Sequence, residues 1–190
     1  MSHSDMAMVG RRFNAGIRGA GIHGADNTTV ASRRLKAEQH MANTYTSLHY
    51  HIVFSTKNRE PWLTPDNEER IWKYIGGIAR NNGMKTIQVG GFDDHVHILL
   101  ALPPSLSISK AVQLLKGSSS RWIHETLEDF SAFAWQDGYG AFTVGLSQLA
   151  DTARYIENQR EHHRVKTYQE EYVSFLRTHG VEYDEQHVWG

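Results

Sequence analysis

His95 and His97 bracket a valine in GFDDHVHILLALP (residues 91–103), after two aspartates and before a wholly apolar run. Residues two apart on a strand project from the same face, so the two imidazoles would stand side by side. The pair reads either as polar residues at a sheet margin or as two ligands of a metal ion. The second reading needs another ligand and a reactive group. ARYIENQREHH (153–163) offers both, because Tyr155 and Gln159 are four residues apart and share one face of a helix. Of the eight tyrosines, only Tyr155 has a glutamine at this spacing. Two imidazoles and a Gln carbonyl would leave coordination positions open, with a phenol one turn away.

The elements that must position these groups come in a readable order. YTSLHYHIVFST reads as a strand, rich in β-branched and aromatic residues. TPDNEERIWKYIGGIARNNG predicts a helix capped by Thr64, with Pro65 in its first turn, Ile71, Tyr74, Ile75 and Ile78 on one face, and Gly83 at its end. MKTIQVGGF and HVHILLALP predict two adjacent antiparallel strands, and SISKAVQLLKGSSSRWIHETL a second helix capped by Ser107. FAWQDGYGAFTVG predicts one or two short strands. SQLADTARYIENQREHHR predicts a third helix capped by Ser147, and TYQEEYVSFLRTHG a fourth ended by Gly180. The order β-α-β-β-α-β is that of an α+β, ferredoxin-like (split βαβ, RRM-like) domain: an antiparallel sheet with helices on one face, here followed by a tyrosine-bearing helix.

Composition narrows the function classes. The 190 residues hold five Trp, eight Tyr and seven Phe, enough aromatic bulk for a real core. There is no cysteine, which excludes disulfide scaffolds and thiolate zinc sites. No run of about 18 apolar residues offers a membrane span, and a cytoplasmic protein is the expectation. Residues 1–40 carry six Lys/Arg and three Asp/Glu, a net +3, and residues 41–190 carry fourteen and eighteen, a net −4. A broad duplex-DNA binder is usually basic, so any nucleic-acid contact must be local. Residues 1–43 read as a disordered leader or non-native extension, glycine-rich and without apolar period, and 44–190 as the working domain.

YTSLHYHIVFSTKNRE, GGFDDHVHILLALP, WQDGYGAFTVG, ARYIENQREHHRVKTYQEEY and HGVEYDEQHVW resemble the single-tyrosine HUH transposases of small bacterial insertion sequences (the IS200-like family), in the family's order across residues 44–189. The resemblance implies that His95 and His97 are metal ligands with Gln159 as the third, and that Tyr155 is the nucleophile. It implies a divalent Mg or Mn cofactor and no organic one. The reaction implied is nicking and rejoining of single-stranded DNA through a 5′-phosphotyrosine, at hairpin-bearing element ends. It further implies a homodimer with sites completed in trans, no membrane association, and Met41 as the natural start.

Smaller assignments accompany these. Lys57, Arg59, Arg121, Arg154, Arg160 and Arg164 are candidate phosphate contacts. Asp93 and Asp94 read as turn residues, with orientation of the histidines as the alternative. His162 and His163 read as a polar helix end in preference to extra metal ligands, and Trp135 and Tyr139 as packing residues in preference to base-stacking ones. The rival functions are an HUH replication initiator or relaxase and a non-catalytic RRM-like binding domain. A barrel metallohydrolase would need a longer chain, about 250 residues.

Overall fold

The computed structural model describes residues 44–184 and 188; the proposed leader lies outside the described residues. Four strands, β1 (His49–Ser55), β2 (Lys85–Phe92), β3 (His95–Ala101) and β4 (Gly140–Thr143), form one sheet in the order β2-β3-β1-β4. Every pairing is antiparallel. Between them run helices α1 (Glu68–Asn81) and α2 (Ile108–Thr126), and after β4 come α3 (Leu149–Glu157), α4 (Gln159–His162) and α5 (Tyr168–Thr178). The split βαβ arrangement is therefore present, with β3 and β1 as the two central strands.

Strand alternation divides the sheet chemically. Ile52 and Phe54 of β1 and Val96, Ile98 and Leu100 of β3 join the apolar sides of α1 (Ile71, Ile75, Ile78) and α2 (Ala111, Val112, Leu115, Ile123) in the main core. The opposite face presents His51, Val53 and Ser55 from β1 and His95 and His97 from β3, with Val53 aligned to His97 and Ser55 to His95. A second apolar cluster of Val53, Phe142, Tyr168 and Leu176 covers this face. Both faces of the sheet are thus covered, the first by α1 and α2 and the second by the C-terminal helices.

Local signals explain most boundaries. Ser107 caps α2 by accepting from the Lys110 amide at 3.3 Å, and Thr167 and Glu170 form a reciprocal capping box on α5. Gly83 and Gly180 take φ of +74° and +63°, the left-handed turn that ends a helix cheaply only at glycine. Three boundaries differ from expectation. The Thr64 carbonyl accepts the Asn67 and Glu68 amides in a tight turn, and α1 proper begins only at Glu68. Ser147 makes no cap, because a single 3-10 turn (Leu146–Gln148) runs into α3 and the Gln148 side chain takes the Gly145 amide at 3.2 Å. The third predicted helix is interrupted at Asn158, so Tyr155 lies on α3 and Gln159 opens α4. β1 is flanked by β3 and β4, so it offers no free edge for pairing.

Candidate active site

The second face of the sheet buries a polar cluster. His95, His97 and Gln159 are each almost wholly inaccessible, as is Glu171 of α5. Burial of four such groups is costly unless each is bonded or meets a charge. The outward nitrogen of each histidine has a partner: His95 Nδ1 lies 2.7 Å from Asp94 Oδ1, and His97 Nδ1 lies 2.8 Å from His51 Nε2. His163 Nδ1 lies 2.7 Å from the Lys166 carbonyl oxygen. A nitrogen facing a carboxylate or a carbonyl carries the proton, which leaves Nε2 of His95 and His163 as lone pairs.

The inward atoms converge. One donor atom from each of His95, His97, His163 and Glu171 lies within 4.8 Å of every other. Among the described residues, His97 Nε2, His163 Nε2 and Glu171 Oε2 are buried without a hydrogen-bond partner. Orphaned buried polar atoms are rare and require a reason; a cation among neutral imidazoles and a carboxylate supplies one. Gln159 Oε1 lies 3.4 Å from His95 Nε2, and its Nε2 donates to Glu171 Oε1 at 3.1 Å. This donor set fits a divalent metal ion.

Burial also sets protonation. His97 is held well below the usual imidazole range, by burial first and then by its neighbours His95, His163 and His162. His51 is lowered by burial and then by His97. His163 is lowered to about 4, chiefly by burial. The Glu171 carboxyl is pushed up to about 7 by burial, with His95 acting against that rise. Neutral imidazoles are the form that ligates a metal.

Tyr155 reaches the same place from α3. Its ring stands edge-on to His97 at 6.0 Å between centroids, and its hydroxyl lies 3.4 Å from His162 Nε2. Gly90 allows this approach, because a Cβ there would sit 2.5 Å from the Ile156 carbonyl oxygen. The helix carrying the tyrosine thus rests on bare backbone of β2. A cavity of about 350 Å³ opens beside Tyr155, lined by His51, Phe142, Gln148, Thr152 and His179 among others.

The structure brings together Tyr155, His95, His97 and Gln159 in one chain. The basic candidates separate. Arg160 is engaged: it holds Glu68 at 2.6 Å and Asp93 at 3.2 Å, binding α4 to α1 and to the β2–β3 turn. Arg154 pairs with Asp151 within α3, and Arg164, in the turn after α4, pairs with Glu161, all at the surface. Lys57, Arg59 and Arg121 are exposed. Arg59 borders a larger cavity of about 710 Å³ with Asn58, Tyr139, Tyr168 and Tyr172. Asp94 is a turn residue that also orients His95. Trp135 packs edge-on against Phe54 and Phe133 in the main core and donates to Ser119 Oγ at 2.9 Å.

Sequence reasoning missed His51 and Glu171 and set His163 aside as a polar helix end. For Glu171 a signal existed. Tyr168, Glu171, Tyr172, Phe175 and Leu176 fall at the helical spacing of one face, so a carboxylate there interrupts an otherwise apolar stripe. For His51 there was none, since only the strand register places it diagonally across from His97.

Comparison with known proteins gives the family. Residues 44–159 match the family model described as transposase IS200 like. Over 133 residues the chain is 28% identical to the transposase for insertion sequence element IS200 of Salmonella typhimurium, covering 67% of this chain and 87% of that one. The corresponding protein of Salmonella typhi matches to the same extent. A crystal structure of a Deinococcus radiodurans transposase candidate aligns with TM-score 0.52 and 27% identity, over 63% of this chain and 96% of its own. His95, His97, Tyr155 and Gln159 lie inside the family match, whereas His162, His163 and Glu171 lie beyond its end. The chain belongs to the IS200-like transposases, DNA-processing enzymes of insertion sequences.

Proposed function

We propose that this transposase cuts and rejoins single-stranded DNA, using Tyr155 as nucleophile and a divalent ion held by His95, His97 and Gln159. The observation that carries the reading is the placement of the Tyr155 ring against His97, over buried Nε2 and carboxylate atoms with no partner. An Mg or Mn ion bound there would withdraw charge from the non-bridging oxygens of a phosphodiester and hold it in place. Tyr155 Oη forms the new P–O bond as the bond to the 3′ oxygen breaks. The phenolic proton leaves toward a nearby acceptor, and His162 Nε2 is the nitrogen closest to hand. The departing 3′ oxygen takes up a proton and becomes a free hydroxyl. The 5′-phosphotyrosine retains the energy of the cut bond, so another 3′-hydroxyl can reverse the step and join a different strand without ATP.

The substrate form follows from charge and surface. Residues 41–190 carry a net −4, which disfavours a broad grip on duplex DNA. Arg59 with Tyr139 at the larger cavity, and exposed Lys57 and Arg121, offer local phosphate and stacking contacts of the kind single strands use. These features favour single-stranded DNA as substrate; its hairpin-bearing form and the cytoplasm as the place of action enter the proposal from the resemblance to the family. Among the described residues no helix is long and apolar enough to cross a membrane. A homodimer belongs to the proposal. Within one chain Tyr155 already lies beside its own His97, and exchange of α3 between subunits would complete the sites in trans.

The test is covalent capture. With Mn or Mg, the protein should remain attached to the 5′ end of a nicked single strand. Tyr155→Phe should abolish the adduct while leaving DNA binding nearly intact. An adduct that persists in Tyr155→Phe would assign the nucleophile to another residue and end this reading.

A further inference from the structure

We infer that Glu171 and His163, both outside the family match, join His95 and His97 as metal ligands, making a three-imidazole, one-carboxylate site that favours Mn and neighbouring transition ions over Mg. The inference rests on the metal-dependent reading above and deepens it.

Geometry comes first. Glu171 Oε2 lies 3.3 Å from His97 Nε2, 3.4 Å from His163 Nε2 and 3.7 Å from His95 Nε2. Ligand atoms about 2.0–2.2 Å from a shared ion stand roughly 3 to 4 Å from one another, which is the spacing found from Glu171 to each imidazole, and all four atoms lie within 4.8 Å of one another. Orientation comes second. Asp94, His51 and the Lys166 carbonyl occupy the Nδ1 side of the three imidazoles, so all three Nε2 atoms face one point. Fixing a ligand ring through its outer nitrogen is how metal-binding histidines are held. Satisfaction comes third: three of the four converging atoms have no hydrogen-bond partner, while Glu171 Oε1 is held by the Gln159 amide at 3.1 Å. Gln159 thereby orients the carboxylate as well as presenting its own oxygen. α5 thus supplies the carboxylate that faces the three Nε2 atoms.

Selectivity follows from the donors. Mg demands oxygen ligands and retains its waters, whereas imidazole suits Mn, Fe, Co and Zn. A site with three nitrogens should bind Mn at least ~100-fold more tightly than Mg.

The experiment is calorimetric titration of the purified, chelator-treated full-length protein with MnCl₂ and with MgCl₂, without DNA. Co(II) absorption serves as a second readout of the ligands. Wild type, Glu171→Gln, His163→Ala and Gln159→Ala are compared, each checked by circular dichroism for folding. Glu171→Gln keeps the shape and removes the charge. It should weaken Mn binding by ~100-fold or more, beyond the ~10–100-fold typical of a group that only orients a ligand. Glu171→Gln and His163→Ala should both change the Co(II) spectrum, and Gln159→Ala should cost less than Glu171→Gln. Near-wild-type binding by Glu171→Gln and His163→Ala, or equal Mg and Mn affinities in wild type, would overturn the inference and leave the three-ligand reading standing. Absence of any metal binding by wild type would overturn both.

Discussion

His51 Nε2 lies 2.8 Å from His97 Nδ1, and the two rings stack at 5.0 Å between centroids. One imidazole from β1 therefore sets the orientation of another on β3. For His97 Nε2 to present a lone pair, its Nδ1 must donate, and His51 Nε2 must accept. His51→Leu keeps much of the bulk and deletes the acceptor. Metal affinity should fall ~10–100-fold, read by the same calorimetry, while the overall fold persists. Unchanged affinity would mean that the contact packs the rings without directing them.

Burial of the site predicts how stability varies with pH in chelator. His51, His97, His162 and His163 all titrate lower in the folded chain than at their ordinary 6.5, chiefly through burial. The unfolded state then binds more protons than the folded one below 6.5, so acidification costs stability. Glu171 has the opposite sign: its folded value of about 7 exceeds 4.5, so the folded state binds the extra proton and stability falls as pH rises between them. Four imidazoles outweigh one carboxylate. Stability should climb from about pH 4 to about 6.5 and then level or decline slightly through 7; His163 alone accounts for roughly 3 kcal/mol. Urea denaturation at a series of pH values checks the shape, and a maximum near pH 4.5 would contradict it.

A third expectation concerns Gly90. An added Cβ would sit 2.5 Å from the Ile156 carbonyl oxygen and 3.0 Å from its Cγ2. Backbone cannot yield as a flexible side chain would, so Gly90→Ala must lift α3 from the sheet. Ile156 is the buried residue of that helix. The substitution should cost about 1–3 kcal/mol and displace Tyr155 from His97. Adduct formation should drop far more than DNA binding or metal binding. An adduct yield equal to wild type would show that the tyrosine reaches phosphate without this seat.

Subunit exchange has a mixing test. A His97→Ala protein keeps Tyr155 and Gln159, and a Tyr155→Phe protein keeps both histidines of the HUH pair. Heterodimers with α3 and α4 exchanged regain one complete site and form adduct. Heterodimers that retain the within-chain contact of Tyr155 with His97 stay inactive. Native mass spectrometry establishes that heterodimers formed, and a gel reads the adduct.

Legibility in the sequence followed the range of each interaction. The HUH pair, the Tyr155–Gln159 spacing and the strand–helix order depend on neighbours within a turn or two, and periodicity exposes them. Ser107 opens α2 and Gly83 follows the end of α1 as read, because capping chemistry is local. Thr64 and Ser147 did not cap, since short turns at Thr64 and Leu146 took up those backbone groups first. His51, His163 and Glu171 meet the HUH pair only through register and through the docking of α5 on the sheet. Arg160 looked like any exposed cation on a helix until Glu68, 92 residues away, appeared beside it.

Alternation in β3 has an evolutionary corollary. Val96, Ile98 and Leu100 build the core while His95 and His97, interleaved with them, build the site. Point substitution can tune either set alone, since the two point in opposite directions. Loss or gain of one residue within this strand would exchange them, turning imidazoles into the apolar core and valine into the polar cluster. Drift by substitution can therefore leave a folded but silent transposase, whereas a single-codon deletion here ends both folding and transposition at once.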